Sequence, residues 1–256
     1  MIGASILSVI NQRYDPFEVV VINDCSRDNT FEKLQSLAKF DKRVKPYNNQ
    51  SRKGSPASRN KGVLRSAGPL ILFSEDDMVL DPDCISTLVG SFETLSKDHS
   101  IGAVGPRLIT LNHNSGEIID SKEKHVVKIS RLTGDLICNY GLNTIMPVEV
   151  QSLHSCSLMP RDAILEIGGF DSRLYKGSYT REETDFYFRL RKKGYKLIFE
   201  PRAVMQHYYG RVGGNILPSK FSQEYYNIRN HLMYLARFYR FRGFFMFPCF
   251  FFSRLL

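Results

Sequence analysis

Apolar residues in this chain gather first into short continuous runs and later into a helical stripe. Residues 17–22 (FEVVVI) form a β-branched run without breakers and predict a buried strand that ends at Asn23-Asp24. Asn29 is placed to cap a helix running to about residue 40, with Glu32 completing an Asx form of the capping box. Ser55 suits an N-cap and Pro56 the first helical position, for a helix stopping near Gly68. Residues 69–73 (PLILF) predict a second buried strand that runs straight into Ser74-Glu75-Asp76-Asp77, and residues 103–109 a further strand. Residues 159–165 read as a short helix before Gly168-Gly169-Phe170-Asp171. A firmer helix spans about 181–193 and is stopped by Gly194. Strands are predicted at 196–199 and 203–207, on either side of Pro201. Residues 110–150 are polar, bear His and Lys, and read as including a mobile loop.

Alternating strand-like and helix-like segments predict an α/β architecture. The last part differs. Tyr225, Ile228, Leu232, Leu235 and Tyr239 recur at helical spacing, with Arg229, Arg237 and Arg240 on an adjacent face. A soft boundary near Gly213-Gly214 therefore separates an α/β domain, 1–213, from a basic aromatic helical tail, 214–256. Within that tail, residues 244–252 are strongly apolar but too short to span a bilayer, and Pro248 interrupts them; they suit a membrane surface.

With 43% hydrophobic and 24% charged residues, the 256-residue chain reads as globular. Its net charge of +9 favours anionic partners. No nucleic-acid recognition motif is present, and acidic residues at a strand end argue against a nucleic-acid face. Five scattered cysteines lack zinc or redox spacing and fit a reduced, cytoplasmic setting. No secretory signal pattern opens the sequence. The expected location is cytoplasmic, peripheral at the cytoplasmic membrane face.

Candidate chemistry follows the strand ends, where open α/β sheets bind ligands. The carboxylates of Glu75, Asp76 and Asp77 repel one another unless a cation or donors sit among them; Mg²⁺ or Mn²⁺ meets that need, and a solvated acidic turn is the alternative. Asp24 suits a hydrogen bond from a nucleobase N–H, or a plain turn. Arg59, one turn inside the helix that follows Lys53-Gly54-Ser55, suits a phosphate, or the basic face of an ordinary helix. Glu182 or Glu183 suits deprotonation of a hydroxyl. Taken on residue pattern alone, Thr180-Arg181-Glu182-Glu183 reads better as a capping box, with Asp185 and Arg189 as an i,i+4 pair. His207 suits a metal or a structural role, and the other histidines (His99, His113, His125, His154, His231) form no cluster.

In order, SILSVINQRYDPFEVVVINDCSRDNT (5–30), GSPASRNKGVLRSAGPLILFSEDD (54–77), IGGFDSRL (167–174) and REETDFYFRLRKKGYKLIFEPRAVMQH (181–207) resemble the family 2 inverting glycosyltransferases of GT-A fold. The resemblance covers about residues 5–240. It implies a mostly parallel sheet flanked by helices, a UDP- or dTDP-linked sugar donor, a glycan or lipid-linked acceptor and a role in polysaccharide biosynthesis. It implies that Asp24, Arg59, Glu75 and Asp76 bind the donor, and that Asp77 and His207 hold the cation. Glu183, or its neighbour Glu182, would be the base, and Gly168 and Gly169 would lie on the acceptor side. The sequence departs from the family pattern in having Glu75 and Glu183 where aspartates are usual. Only four residues precede Ser5, where the family has its first strand, so the sheet is expected to lack a member. The competing readings are a degenerate, non-catalytic sugar-nucleotide-binding or scaffolding protein, and a nucleotidyltransferase.

Overall fold

The computed structural model describes residues 2–209, 217 and 219–254. The chain begins with α1 (Ile2–Ile10), β1 (Val19–Asn23), α2 (Thr30–Phe40), β2 (Val44–Asn48) and α3 (Ser55–Arg65). β1 forms where the β-branched run predicted it and stops one residue before Asp24. At α2 the predicted cap residue is in place but its side chain makes no capping bond; Asp28 instead accepts the Thr30 amide at 3.1 Å. α3 is capped by Gly54 and not Ser55, and it ends at Arg65, short of Gly68, because Ser66 is already extended. Gly54 has φ +84°, and a Cβ there would lie 2.0 Å from the Tyr179 hydroxyl oxygen, so this approach requires glycine.

Next come β3 (Leu70–Leu72), β4 (Met78–Leu80), α4 (Cys84–Leu95) and β5 (Ile101–Asn112). The polar stretch that follows carries three short strands, β6 (Val127–Ile129), β7 (Leu136–Cys138) and β8 (Val148–Val150). They are followed by β9 (Leu158–Pro160), α5 (Arg161–Glu166), α6 (Glu182–Lys192) and β10 (Lys196–Tyr209). The chain ends with α7 (Lys220–Tyr239) and α8 (Phe241–Ser253). The two strands predicted around Pro201 are one strand, because a register shift between Glu200 and Val204 absorbs the proline without ending the ladder.

The main sheet has the order β3-β9-β5-β10-β4, with β8 also on β10. Its long central pair, β5 and β10, is parallel, and the short strands β4 and β8 run against β10. β9 is antiparallel to both β3 and β5. β1 and β2 form a parallel two-stranded sheet of their own, apart from the main sheet.

Alternate residues of the central strands feed two cores. Ala103, Leu197 and Phe199 pack with Ala163 and Ile164 of α5 and with Phe186 and Leu190 of α6. Val104 and Ile198 pack on the other side with Ile85, Leu88 and Val89 of α4. A third core joins Tyr175 and Phe188 to Tyr234, Leu235 and Met246 of the terminal helices, with Ile129 and Leu136 of the β6–β7 hairpin alongside. The tail arginines also engage the body. Arg237 pairs with Asp171 at 2.8 Å and with Asp185 at 3.0 Å, and Arg229 donates to the Leu174 carbonyl at 2.9 Å. The boundary near Gly213-Gly214 lies outside the described residues. Among the described residues, no helix is long and apolar enough to cross a membrane.

Candidate functional site

The chain leaves β3 and reaches the acidic triplet where α1 passes close by, the Ser5 hydroxyl donating to the Glu75 carbonyl at 2.9 Å. The Glu75 side chain accepts from Arg59 Nη2 at 2.5 Å and from Ser155 Oγ at 2.8 Å. The same guanidinium contacts Glu182 through Nη1 and lies 3.4 Å from Glu183 through Nη2. Its carbon sits 5.2 Å above the Phe170 ring. One cation thus gathers three carboxylates from two distant parts of the sequence.

Their exposures differ: the Glu182 side chain is 4% exposed and that of Glu183 31%. One guanidinium cannot neutralise three carboxylates, so the cluster favours keeping a proton. Glu182 is where it belongs. Burial pushes its carboxyl up, against the pull of Arg59, and the charge of Glu183 adds to the rise. Its Oε2 is buried without a partner. For Glu75, burial also works upward, but Arg59, His154 and Ser155 outweigh it and hold the group well below the usual carboxylate range.

The capping box read at 180–183 does not form. Arg181 takes the cap position with φ +74°, and no side chain caps α6. The Thr180 hydroxyl donates to Asn227 of α7 at 2.6 Å. Arg181 pairs with Asp135 and donates from Nε to Nδ1 of His231 at 3.0 Å. His231 in turn stacks on Phe250 of α8 with centroids 3.6 Å apart, and its Nε2 lies 2.8 Å from the Thr133 carbonyl oxygen. Burial, with Arg181 nearby, lowers its pKa to about 4, which suits a neutral ring that accepts at Nδ1 and donates at Nε2. A tertiary partner has therefore displaced the local cap, which leaves both glutamates without capping work. The predicted pair of Asp185 and Arg189 is present at 2.7 Å.

Asp77 and His207 meet across β4 and β10, where His207 is in register with Met78. Nε2 of His207 lies 3.6 Å from Oδ2 of Asp77, while Oδ1 of Asp77 is buried and unpartnered. Burial lowers the imidazole pKa, but the Asp77 carboxylate outweighs it and raises the value overall. A carboxylate oxygen without a donor beside an imidazole nitrogen is a donor set that suits Mn²⁺ or Mg²⁺. Among the described residues no group of three His, Cys, Asp or Glu side chains could hold a metal. A cation here would thus take its remaining ligands from substrate and water.

His154, which the sequence does not single out, lies beside this pair. Its ring lies 5.8 Å from that of His207, and it contributes to the field on Glu75. Tyr187 of α6 anchors this segment by donating to the His154 carbonyl at 2.6 Å. Ser155 was also missed; the signal in the sequence is the recurrence of serine at 152, 155 and 157 just before β9.

Asp24 stands at the end of β1. Its Oδ1 accepts from Asn49 Nδ2 and the Lys53 amide, both at 2.8 Å, and its Oδ2 from the Gly54 amide at 2.7 Å. Burial alone would raise its pKa, but these bonds hold it below the usual range. Asp24 thus fixes the start of α3, from which Arg59 projects. Asp76 is exposed on the same turn as Glu75. Gly168 and Gly169 both have positive φ, and a Cβ on Gly169 would come 2.5 Å from Asn60 Oδ1. Asn60 there bonds both the amide and the carbonyl of Phe170, at 2.8 Å each. The glycines thus shape the turn that sets Phe170 beneath Arg59.

Comparisons with known proteins bear on the family and the fold. The family described as Glycosyl transferase family 2 matches residues 1–150. A UDP-Glc:alpha-D-GlcNAc-diphosphoundecaprenol beta-1,3-glucosyltransferase, WfgD, of Escherichia coli is 32% identical over 125 residues, covering 43% of this chain and 48% of that protein. A GalNAc(5)-diNAcBac-PP-undecaprenol beta-1,3-glucosyltransferase of Campylobacter jejuni is 33% identical over 90 residues, covering 35% and 29%. The chain therefore aligns with less than half the length of either relative. Among solved structures, GalNAc-T7 with UDP, GalNAc and Mn²⁺ superposes with a TM-score of 0.69 at 20% identity, over 91% of this chain and 47% of that one. The fold is accordingly of the GT-A type.

Proposed function

This chain belongs to glycosyltransferase family 2, and on that premise we propose that it moves a sugar from a nucleoside diphosphate to a hydroxyl of a glycan or lipid-linked acceptor, with inversion. The observation that carries this reading is the convergence of Glu75, Glu182 and Glu183 on Arg59 beyond the strand ends. Glu183 is the base. Its side chain is 31% exposed and lies 3.4 Å from Arg59 Nη2, so an acceptor hydroxyl has access to it. Glu182 is buried against Arg59, and burial favours its protonated form, so its part is to position Arg59 and not to receive the acceptor's proton.

As Glu183 takes the hydroxyl proton, the acceptor oxygen forms its bond to the anomeric carbon from the face opposite the diphosphate. The bond from that carbon to the phosphate oxygen breaks, and the nucleoside diphosphate leaves with the electron pair. Asp24 receives the base, uracil or thymine, through one of its remaining lone pairs. Arg59 and Asp76 serve the donor, and the Gly168-Gly169 turn faces the acceptor side. Asp77 and His207 would hold a divalent cation, which when bound offsets the negative charge of the diphosphate. The names of the two bacterial relatives support a polyprenyl-diphosphate acceptor and, for WfgD, a UDP-glucose donor.

The test is release of nucleoside diphosphate from UDP- or dTDP-sugars with Mn²⁺ and a polyprenyl-diphosphate-linked glycan. Glu183→Gln should lower turnover by roughly 10²–10⁴-fold while UDP binding persists. A Glu183→Gln variant with wild-type turnover would overturn the assignment of the base. UDP binding without turnover on any acceptor would mark a sugar-nucleotide-binding protein instead.

A further inference from the structure

α8 has two unlike faces. Gly243, Met246 and Phe250 are buried against the rest of the molecule, and Gly243 lets the helix approach α7 so closely that a Cβ would lie 2.8 Å from the Leu235 carbonyl oxygen. On the other side Phe241, Phe244, Phe245 and Phe252 are between 60% and 76% exposed. With exposed Pro248 between them they fall at helical steps of three and four, forming one stripe. Four exposed phenylalanines in one stripe call for an occupant.

The charges around the stripe indicate which one. Arg240 and Arg242 lie at the start of α8 and Arg254 just past its end, all exposed. No Asp or Glu occurs after Glu224, whereas five arginines do. A helix with an aromatic face, flanking arginines and no acidic residue fits an anionic bilayer surface, with rings entering the acyl boundary and guanidinium groups at the phosphates. Such a helix lies in the interface and does not cross it, in line with its thirteen residues and internal proline.

We infer that the Phe241–Phe252 stripe of α8 is a docking face for anionic phospholipid membranes. This goes beyond the transfer reaction and does not depend on it, so it is tested without donor or acceptor.

The full chain is mixed with vesicles of phosphatidylcholine alone, or of equimolar phosphatidylglycerol and phosphatidylcholine, and floated on a density gradient. The protein should float with the anionic vesicles, remain behind with the neutral ones, and be released as salt is raised. The double variant Phe244→Ser/Phe245→Ser should lose about tenfold or more of its vesicle affinity. Its melting temperature should stay near wild type, because both side chains already face solvent. Arg240→Ser/Arg242→Ser should lower binding to anionic vesicles as well. Wild-type protein that floats with neither vesicle, or equally with both, overturns the inference. So does a lipid-free dimer, seen by sedimentation equilibrium, that the phenylalanine variant abolishes, since the stripe would then belong to a second copy.

Discussion

The guanidinium of Arg59 contacts the carboxyl of Glu182 in a place water hardly reaches, and the contact ties α3 to the first residue of α6. Removing the cation while leaving the carboxylates should be costly. Arg59→Met is expected to destabilise the fold by about 3 kcal/mol, because Glu75 and Glu183 lose their compensating charge. Urea denaturation measures this. Arg59→Met/Glu75→Gln should recover part of the loss.

Glu182 gives the protein a pH dependence of known sign. Its carboxyl is raised from an ordinary 4.5 to about 8 by burial, so the folded state binds this proton more tightly than the unfolded chain. The resulting stabilisation is complete below the ordinary value and is lost as pH rises through that window. Glu182→Gln should flatten the fall in urea midpoint between pH 5 and pH 8. A slope equal to that of wild type would remove Glu182 as its source.

Asp24→Asn keeps the shape but places an amide NH₂ where only acceptors fit. Three N–H donors converge on the native carboxylate. The expected cost is about 2 kcal/mol, seen in thermal melts at neutral pH. The wild-type margin over the variant should shrink on acidification, because a depressed carboxylate stabilises only while it is ionised.

For Asp77 the expected readout is metal-dependent nucleotide binding. Calorimetry with UDP should show Mn²⁺ strengthening the affinity of wild-type protein, with little Mn²⁺ effect left in Asp77→Ala and less in His207→Ala than in wild type. Chelation by EDTA should reproduce the Asp77→Ala behaviour.

β1, α2, α3 and β3 were legible because their signals are local: β-branched runs, a proline at a helix start, polar breakers between them; β2 was not, because Lys45 and Pro46 interrupt any apolar run there. Asp24 and the acidic triplet were legible for the same reason, each lying directly past such a run. The assembly around Arg59 was not, since Glu182 lies 123 positions away and only tertiary packing brings it close. The capping box at 180–183 was a sound local inference overridden by Asn227 and His231. The strands of residues 127–150 were missed because three residues are too few to display a period.

The stack of Phe250 on His231, and the bond from Arg181 to that ring, have a consequence for biogenesis. The start of α6, and with it Glu183, is secured by groups that the ribosome makes much later. A nascent chain that has already released its β10 segment still lacks the parts that hold its proposed base in place. Ribosome-bound intermediates stalled before α7 should therefore leave the start of α6 unsupported and sticky, and its order should arrive only once α7 and α8 have been made.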